Sequence, residues 1–483
     1  MANKPEMLLP TPKKIKILGG ELNVPASVSY DNISWKTFVD TFRVSMKKIY
    51  DCDITEGGGM IINQDMSLAP ASYVVDTTGD KIVLSASDDE GIGYAMSTAL
   101  QLITARKNEF CVARTYIEDE PDKSFRGLMI DLARQWHPAN KIFKYIDICF
   151  MLKLRYLHLH FVDDQSYTLP SRNFPKLMKR NRHYTEEDIK SFREYANARG
   201  VILIPEMEVP GHAAFLVEQY PQIFGNKLDE NESTSIVTEE GTVITAKNII
   251  CAGNPVTFDA VKELVKEVCE LFPEAPFIHI GGDEANVRAW DYCEYCRAYM
   301  KENHIENAKE LYSEFTGRVA QAVLDLGKTP IVWEGFPKEG VQYIPKDTIV
   351  IAWESLYHLA NDLLDAGFKV INASWKPLYH VSDPRHCWEP KEILDWNVYT
   401  WQNWWERSEA YLNPIHVAPT DNVLGAQFCF WALTYEHEIS HVLVKSAALS
   451  ERVWRLKRCD DNDSCYARIK AISKLMALLI QDV

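Results

Sequence analysis

No stretch of the 483-residue chain approaches 18 consecutive apolar residues, so no transmembrane helix and no membrane partner are expected. Met1 to Lys16 carries lysines but lacks the apolar run of a secretion signal. As the chain stands this predicts a cytoplasmic protein, or a periplasmic or secreted one if a signal has been trimmed. Positive charge is also in short supply: 52 lysines and arginines face 68 acids, for a net charge of −16. Nucleic acid selects clustered lysine and arginine, so it is disfavoured, and neutral substrates such as sugars suit the surface better. Low-complexity segments and internal repeats are absent. A second CxxC is absent too: Cys293-x-x-Cys296 stands alone among eleven scattered cysteines, so no metal is expected there. Several of the others, Cys149 and Cys429 among them, lie in apolar runs and read as buried, reduced thiols.

What is present is the composition of a globular protein, 46% hydrophobic and 25% charged. The first 120 residues read as a small α/β unit. Short strand-like segments (Ile15 to Ile17, Tyr73 to Val75, Lys81 to Ser85) sit among turns, and Gly91 to Arg106 has helical spacing. The charged, proline-broken segment Glu118 to Asp122 marks a boundary, giving a small N-terminal domain over 1–121 and a larger one over 122–483.

Beyond Ser124 apolar runs recur, and almost every one ends in polar or aromatic residues. They are Gly127 to Asp131, Tyr156 to Asp164, Val201 to Glu208, Phe277 to Glu284, Pro330 to Glu334, Ile349 to Glu354, Val370 to Trp375 and Gly425 to Trp431. Helical patterns lie between most of them, at 142–154, 186–198, 259–271 and 308–326. Apolar strands alternating with helices imply a parallel sheet covered by helices, and eight such units predict a (β/α)8 TIM barrel with C-terminal helices. The domain ahead of it is expected to be a small α/β, α+β sandwich-like unit.

Catalytic groups of such barrels sit where strands end. Phe277 to Glu284 delivers two glycines, which permit a sharp turn and close ligand approach, and then the adjacent carboxylates Asp283 and Glu284. Neighbouring buried acids drive their pKa values apart, so one can stay an anion while the other keeps a proton. Two acids capping a helix N-terminus are the competing reading. Thirteen tryptophans are many, and Trp333, Trp353, Trp375 and Trp431 fall at or near strand ends, where aromatic faces suit sugar rings. Arg126, at the start of the first strand run, could hold vicinal hydroxyls with its forked donors or pair with a strand-end acid; Arg134 follows that run. His212 is a candidate partner for a carboxylate. His158 and His160 share a strand face and, with Asp163 or Asp164, offer a metal-dependent hydrolase as a further reading.

The run His279-x-Gly-Gly-Asp283-Glu284 resembles the signature of glycoside hydrolase family 20, the β-N-acetylhexosaminidases. Further stretches are similar in the same order: Arg126 to Asp131 with Ala133-Arg134, His158 to Gln165, Glu206 to His212, Val332-Trp-Glu334, Ala352-Trp353 and Ser450 to Trp454. The likeness spans about 124–456, and a small α/β unit ahead of the barrel is also typical of the family.

The resemblance implies a cofactor-free, exo-acting, retaining enzyme whose nucleophile is the substrate's own 2-acetamido carbonyl, which forms an oxazolinium intermediate. It implies that Glu284 is the general acid/base, that Asp283 orients the acetamido N–H, and that Tyr379 donates to the carbonyl oxygen. Trp333, Trp353 and Trp431 would wall the pocket, Arg126 would bind the C3 and C4 hydroxyls, and Asp164 and His212 would complete the binding set, with no metal. The partner would be an oligosaccharide or glycoconjugate ending in N-acetylhexosamine. One departure stands out. The family's Trp-x-Glu after the last strand, whose acid binds the C4 and C6 hydroxyls, is here Trp431-Ala432-Leu433. Either Glu436 or Glu438 replaces that acid, or the C6 side is open to substituted sugars. A catalytically weak carbohydrate-binding barrel is the alternative this departure leaves, and no motif bears on oligomeric state.

Overall fold

The computed structural model describes residues 5–106, 109–228, 234–238, 240–381, 387–433, 438–458 and 460–480. The N-terminal part builds one eight-stranded mixed sheet. Glu109–Asp119 lies antiparallel between Lys14–Asn23 and Tyr73–Asp76, while Ile82–Ala86, Met60–Gln64 and Ser27–Tyr30 run parallel. Helices Lys36–Tyr50 and Asp89–Leu102 accompany the sheet. The second begins where Asp88 accepts a hydrogen bond from Gly91 N. It is buried along nearly its whole length because the barrel helix Ala139–Met151 covers it from the other side. Ser97 and Gln101 reach across to the Met151 carbonyl.

Eight parallel strands then close on themselves: Phe125–Asp131, Tyr156–His160, Ile202–Glu206, Phe277–His279, Thr329–Trp333, Ile349–Ala352, Lys369–Asn372 and Val423–Phe430. The closing pairs are the last strand with the first and with the seventh. All eight sequence runs correspond to these strands, and the barrel is the predicted one. The first strand is buried at every position because helices cover its outside and side chains fill the inside. Helices Ala139–Met151, Glu186–Asn197, Pro255–Leu271 and Ala308–Asp325 wrap the first half. Their starts follow local chemistry, a Thr185–Asp188 capping box in one and Asn254 before Pro255 in another. The second half departs from regular alternation. Only the short 3-10 helix Lys338–Tyr343 joins strands five and six, and the seventh strand is followed by a long, mostly irregular loop. Among the described residues no helix is long and apolar enough to cross a membrane.

The two units meet at the N-terminal ends of the barrel strands, and there the expectation for Arg126 is overturned. Its side chain is fully buried. It donates to the carbonyls of Lys123, Ser124 and Lys153 and to Glu90, with Tyr94 also in reach. Beside it the buried Lys153, pushed down to about 8 by desolvation, donates to Tyr73, which in turn donates to Asp119. Trp454 lies beneath both cations and donates to Asp119. Arg126 sits at the start of a strand, and barrel substrates bind at strand ends. It is a structural clamp between the units. Arg126→Met should therefore cost about 3–5 kcal/mol of stability, since it strands a buried acid and several carbonyls. Thermal unfolding will show the loss, while KM of the folded fraction stays at the wild-type value. A raised KM with unchanged stability would restore Arg126 to the substrate site.

Candidate active site

At the opposite end of the barrel a pocket of about 430 Å³ is lined by Arg134, Asp283, Glu284, Trp353, Glu354, Trp375, Tyr379, Val381, Trp404, Trp405, Trp431 and Ala432. Its size and its aromatic walls with few polar groups suit a small ligand. The acids arrive through a tight turn after the fourth strand. Gly281 and Gly282 both have positive φ, and a Cβ on Gly281 would fall 2.0 Å from the Glu208 carboxylate. Glu284 itself is held at φ 45°, a left-handed backbone that costs energy for any residue but glycine. His212 and Ala432 share that conformation at the same mouth. Neither acid caps a helix: the short 3-10 helix that follows, Val287–Asp291, has Asn286 at its N-cap.

The environments of the two acids differ. Asp283 is buried, which pushes its pKa up, while a hydrogen bond with the Glu208 carboxyl behind it works the other way. Behind it Glu208 accepts from Gly282 N, and burial together with the Asp283 charge pushes its carboxyl well up. Glu208 therefore stays protonated and leaves Asp283 as the anion. The Glu284 side chain is about half exposed, 49%, and lies 3.3 Å from His212 Nε2, a bond that lowers its pKa. His212 stands among four carboxylates: Glu284, Asp283 at 3.7 Å, Asp163 at 3.5 Å and Asp164 at 3.8 Å. Burial would lower its pKa, but Asp163, Asp283 and Glu284 outweigh that and push it up to about 11. Asp164 stands behind His212, accepting from Ala214 N.

Beneath this lies a second buried chain of charge. His160 bridges Glu206 and Asp163, and their carboxylates overcome its desolvation to push it up to about 10. His158 Nε2 lies 2.9 Å from Glu206, and its Nδ1 is 3.3 Å from Gln427 Oε1. The nitrogens of the supposed His158–His160 metal pair thus already face protein partners, and the arrangement is a support for Asp163 and His212.

The tryptophans divide by height. Trp333 is fully buried under the pocket, its Nε1 donating to Glu206 at 2.6 Å and its ring 5.9 Å from Trp431. Trp353 and Tyr379 stack nearly parallel, 14° apart, and Trp375 stands edge-on to Tyr379 at 4.4 Å. Glu334 shapes this wall from below by accepting backbone N–H groups of Trp353, Ser355, Leu356 and Tyr357. Glu354, buried and repelled by Glu284, Glu334 and Asp283, is pushed up to about 8 and so carries a proton at neutral pH.

Several pocket residues lay outside the expected set. Arg134 is the arginine that reaches the pocket, 2.7 Å from Asp163 and 4.6 Å over the Trp431 ring. Trp404 and Trp405 come from the irregular loop after the seventh strand, where no strand end signals them. Leu433 is buried, Glu436 lies outside the described residues, and so does the side chain of Glu438. The rim beside Trp431 bears Ala432, whose N donates to Asp131.

Comparison with known proteins agrees with this geometry. The glycosyl hydrolase family 20 catalytic domain matches residues 124–457, and the family's domain 2 matches residues 6–120. The beta-hexosaminidase subunit beta of Entamoeba histolytica is 28% identical over 81% of this chain and 70% of its own length. A beta-hexosaminidase of Vibrio furnissii is 26% identical over 88% of this chain and 72% of its own length. Among solved structures, an exo beta-N-acetylglucosaminidase from Vibrio harveyi, in complex with N-acetylglucosamine, superposes with a TM-score of 0.83. It is 21% identical, and the match covers 99% of this chain and 78% of that one. The beta-N-acetylhexosaminidase from Bacteroides fragilis gives a TM-score of 0.79 at 23% identity, covering 97% and 94%. A barrel whose fourth strand presents two acids of unlike environment beneath a cup of tryptophans, with both family domains matched in order, places this chain in glycosyl hydrolase family 20, as a glycoside hydrolase of the β-N-acetylhexosaminidase kind.

Proposed function

We propose that the protein is a retaining, exo-acting enzyme that removes terminal β-linked N-acetylglucosamine or N-acetylgalactosamine by substrate assistance. The observation that carries this reading is the buried Asp283, left an anion by the protonated Glu208 behind it, beside a half-exposed Glu284. A buried carboxylate accepts more than one hydrogen bond, and an acetamido N–H in the pocket is a donor that suits it. Asp283 then orients the acetamide, and its preorganised charge stabilises the oxazolinium as positive charge develops. The acetamido carbonyl attacks the anomeric carbon, and the glycosidic oxygen leaves with a proton from Glu284.

That proton comes from the Glu284–His212 pair. In the open pocket it rests on His212, whose raised pKa holds it. A sugar over Glu284 expels water, disfavours the ion pair and moves the proton across to the carboxyl. After the aglycone departs, Glu284 takes a proton from water, which opens the oxazolinium from the same face and gives overall retention. Tyr379 stands at the cup wall to donate to the acetamido oxygen, Trp353 and Trp431 flank the ring, and Trp333 supports them from below. The scheme calls on no cofactor.

Arg134, in place of Arg126, is proposed to bind ring hydroxyls at the closed end of the pocket. Lysine cannot reproduce its planar fork or its stacking on Trp431, so Arg134→Lys should lower kcat/KM by about 10- to 100-fold, chiefly through KM. A change confined to kcat would remove Arg134 from substrate binding.

Among the described residues the rim beside Trp431 bears Ala432 and Val381, and Leu433 is buried, so none of these three supplies an acid there. We infer tolerance of C6-substituted sugars. Hydrolysis of 4-nitrophenyl N-acetyl-β-glucosaminide, followed by NMR for the first-formed anomer, tests the reaction. The 6-O-substituted analogue should keep kcat/KM within about tenfold of the plain sugar, whereas a site built to hydrogen-bond a hydroxyl discriminates by about 10⁴. Strong preference for the plain sugar would close the C6 side, and an inverted first product would rule out substrate assistance.

A further inference from the structure

Cys293-x-x-Cys296 is one half of a cluster whose other half lies 42 residues upstream. Cys251, at the end of the loop after the third barrel strand, brings its Sγ within 3.6 Å of Cys293 Sγ and 3.7 Å of Cys296 Sγ. All three are buried, and their sulfurs lie within 4.8 Å of one another. We propose that Cys251, Cys293 and Cys296 form a structural zinc site that staples the loop carrying His212 to the loop carrying Asp283 and Glu284.

The spacing is that of a coordination polyhedron. With Zn–S bonds of about 2.3 Å, neighbouring sulfurs of a zinc tetrahedron stand about 3.8 Å apart. Beside the sulfurs lies Asn226, which is buried, donates through Nδ2 to Ile249 O, and has its Oδ1 3.9 Å from Cys296 Sγ. A disulfide would satisfy at most two of the three sulfurs and leave the third buried alone. The backbone is built to hold them together: a Cβ on Gly253 would fall 2.4 Å from Cys296 Cα, so only glycine lets these loops meet so closely. Cys251 N donates to Phe224 O, Trp290 Nε1 to Ile250 O, and Glu294 N to Lys227 O, which fixes both sides of the cluster. Zinc would displace the three thiol protons to solvent and form three Zn–S bonds without any change of oxidation state.

The same loops hold the catalytic pair. Ile250 N donates to Pro210 O two residues before His212, and Ala213 N donates to Asn248 O. Cys293 follows Glu284 by nine residues on the other loop. The metal would thus fix the His212–Glu284 separation from behind, without touching substrate.

The test is elemental analysis of the full chain, purified from zinc-supplemented medium under reducing conditions and desalted. About one zinc per chain is expected. Cys251→Ser and Cys296→Ser should reduce it to background, and Cys269→Ser, in the core of a barrel helix, should leave it. Cobalt loaded into metal-stripped wild-type protein should give the thiolate charge-transfer and intense visible bands of a tetrahedral sulfur site. Background zinc in folded wild-type protein, even after incubation with zinc and reductant, overturns the proposal whatever the variants do. So does peptide mapping that finds Cys251 disulfide-bonded to Cys293 or Cys296 in protein never exposed to oxidant.

Discussion

Asp283→Asn is expected to lower kcat by about a hundred- to a thousandfold, the scale on which a preorganised charge group acts in a water-excluded site. The substitution keeps the shape of a buried side chain wedged between Glu208 and the pocket, so the fold should survive it. What changes is charge and acceptor strength at one oxygen. The carboxylate pairs with Glu208 behind it and would accept from the acetamide in front, and asparagine offers either a weaker acceptor or an N–H pointed at another N–H. The loss should depend on the acyl group. If the acetamide is the nucleophile, wild-type rates fall steeply along a series of acetyl, fluoroacetyl and trifluoroacetyl substrates. The variant starts low and falls further, because nothing then stabilises the developing cation. Near-wild-type turnover by Asp283→Asn would mean that substrate assistance is the wrong mechanism.

Glu284→Gln should behave differently. On an aryl glycoside whose leaving group departs unaided, the first step needs little acid, and its rate should fall only modestly. On a disaccharide the glycosidic oxygen must be protonated, and the loss should reach about 10²- to 10⁴-fold with KM little changed. The pH profile provides a second readout. Glu284 lies below its ordinary range because of its bond to His212, and His212 is raised to about 11, so the pair holds one proton across the neutral range. The wild-type alkaline limb tracks the loss of that proton as pH climbs toward the His212 value. The acid limb tracks protonation of Asp283, raised by burial above an ordinary aspartate. In Glu284→Gln the acid limb should persist and the alkaline limb should flatten for the good leaving group. A leaving-group-independent loss would assign the proton to another residue.

How much of this was legible beforehand depended on period and position. The eight strands announced themselves because each is a short apolar run closed by an acid or a tryptophan, as for Phe277 to Glu284. Arg126 was misplaced by likeness to a motif, although its position at the beginning of a run already put it at the wrong end of a parallel barrel. Arg134, just beyond the end of the same run, was the better candidate on that rule alone. Trp404 and Trp405 were out of reach because the loop that carries them has no periodicity to anchor it. The long N-terminal strand Glu109–Asp119 was likewise unmarked, since its charged ends and threonine blur the alternation. Cys251 could not be joined to Cys293 and Cys296 from spacing, because what unites them is the close approach at Gly253.

The pocket's floor has a last consequence. Trp333 and the Arg134–Asp163 pair lie below the cup, and on the proposed exo-acting reading a glycan would enter by its tip and back out after each cut. Such an enzyme counts termini. On a polymer its velocity would scale with the molar number of non-reducing ends and not with mass. Branching would speed it, and lengthening a chain at constant mass would starve it.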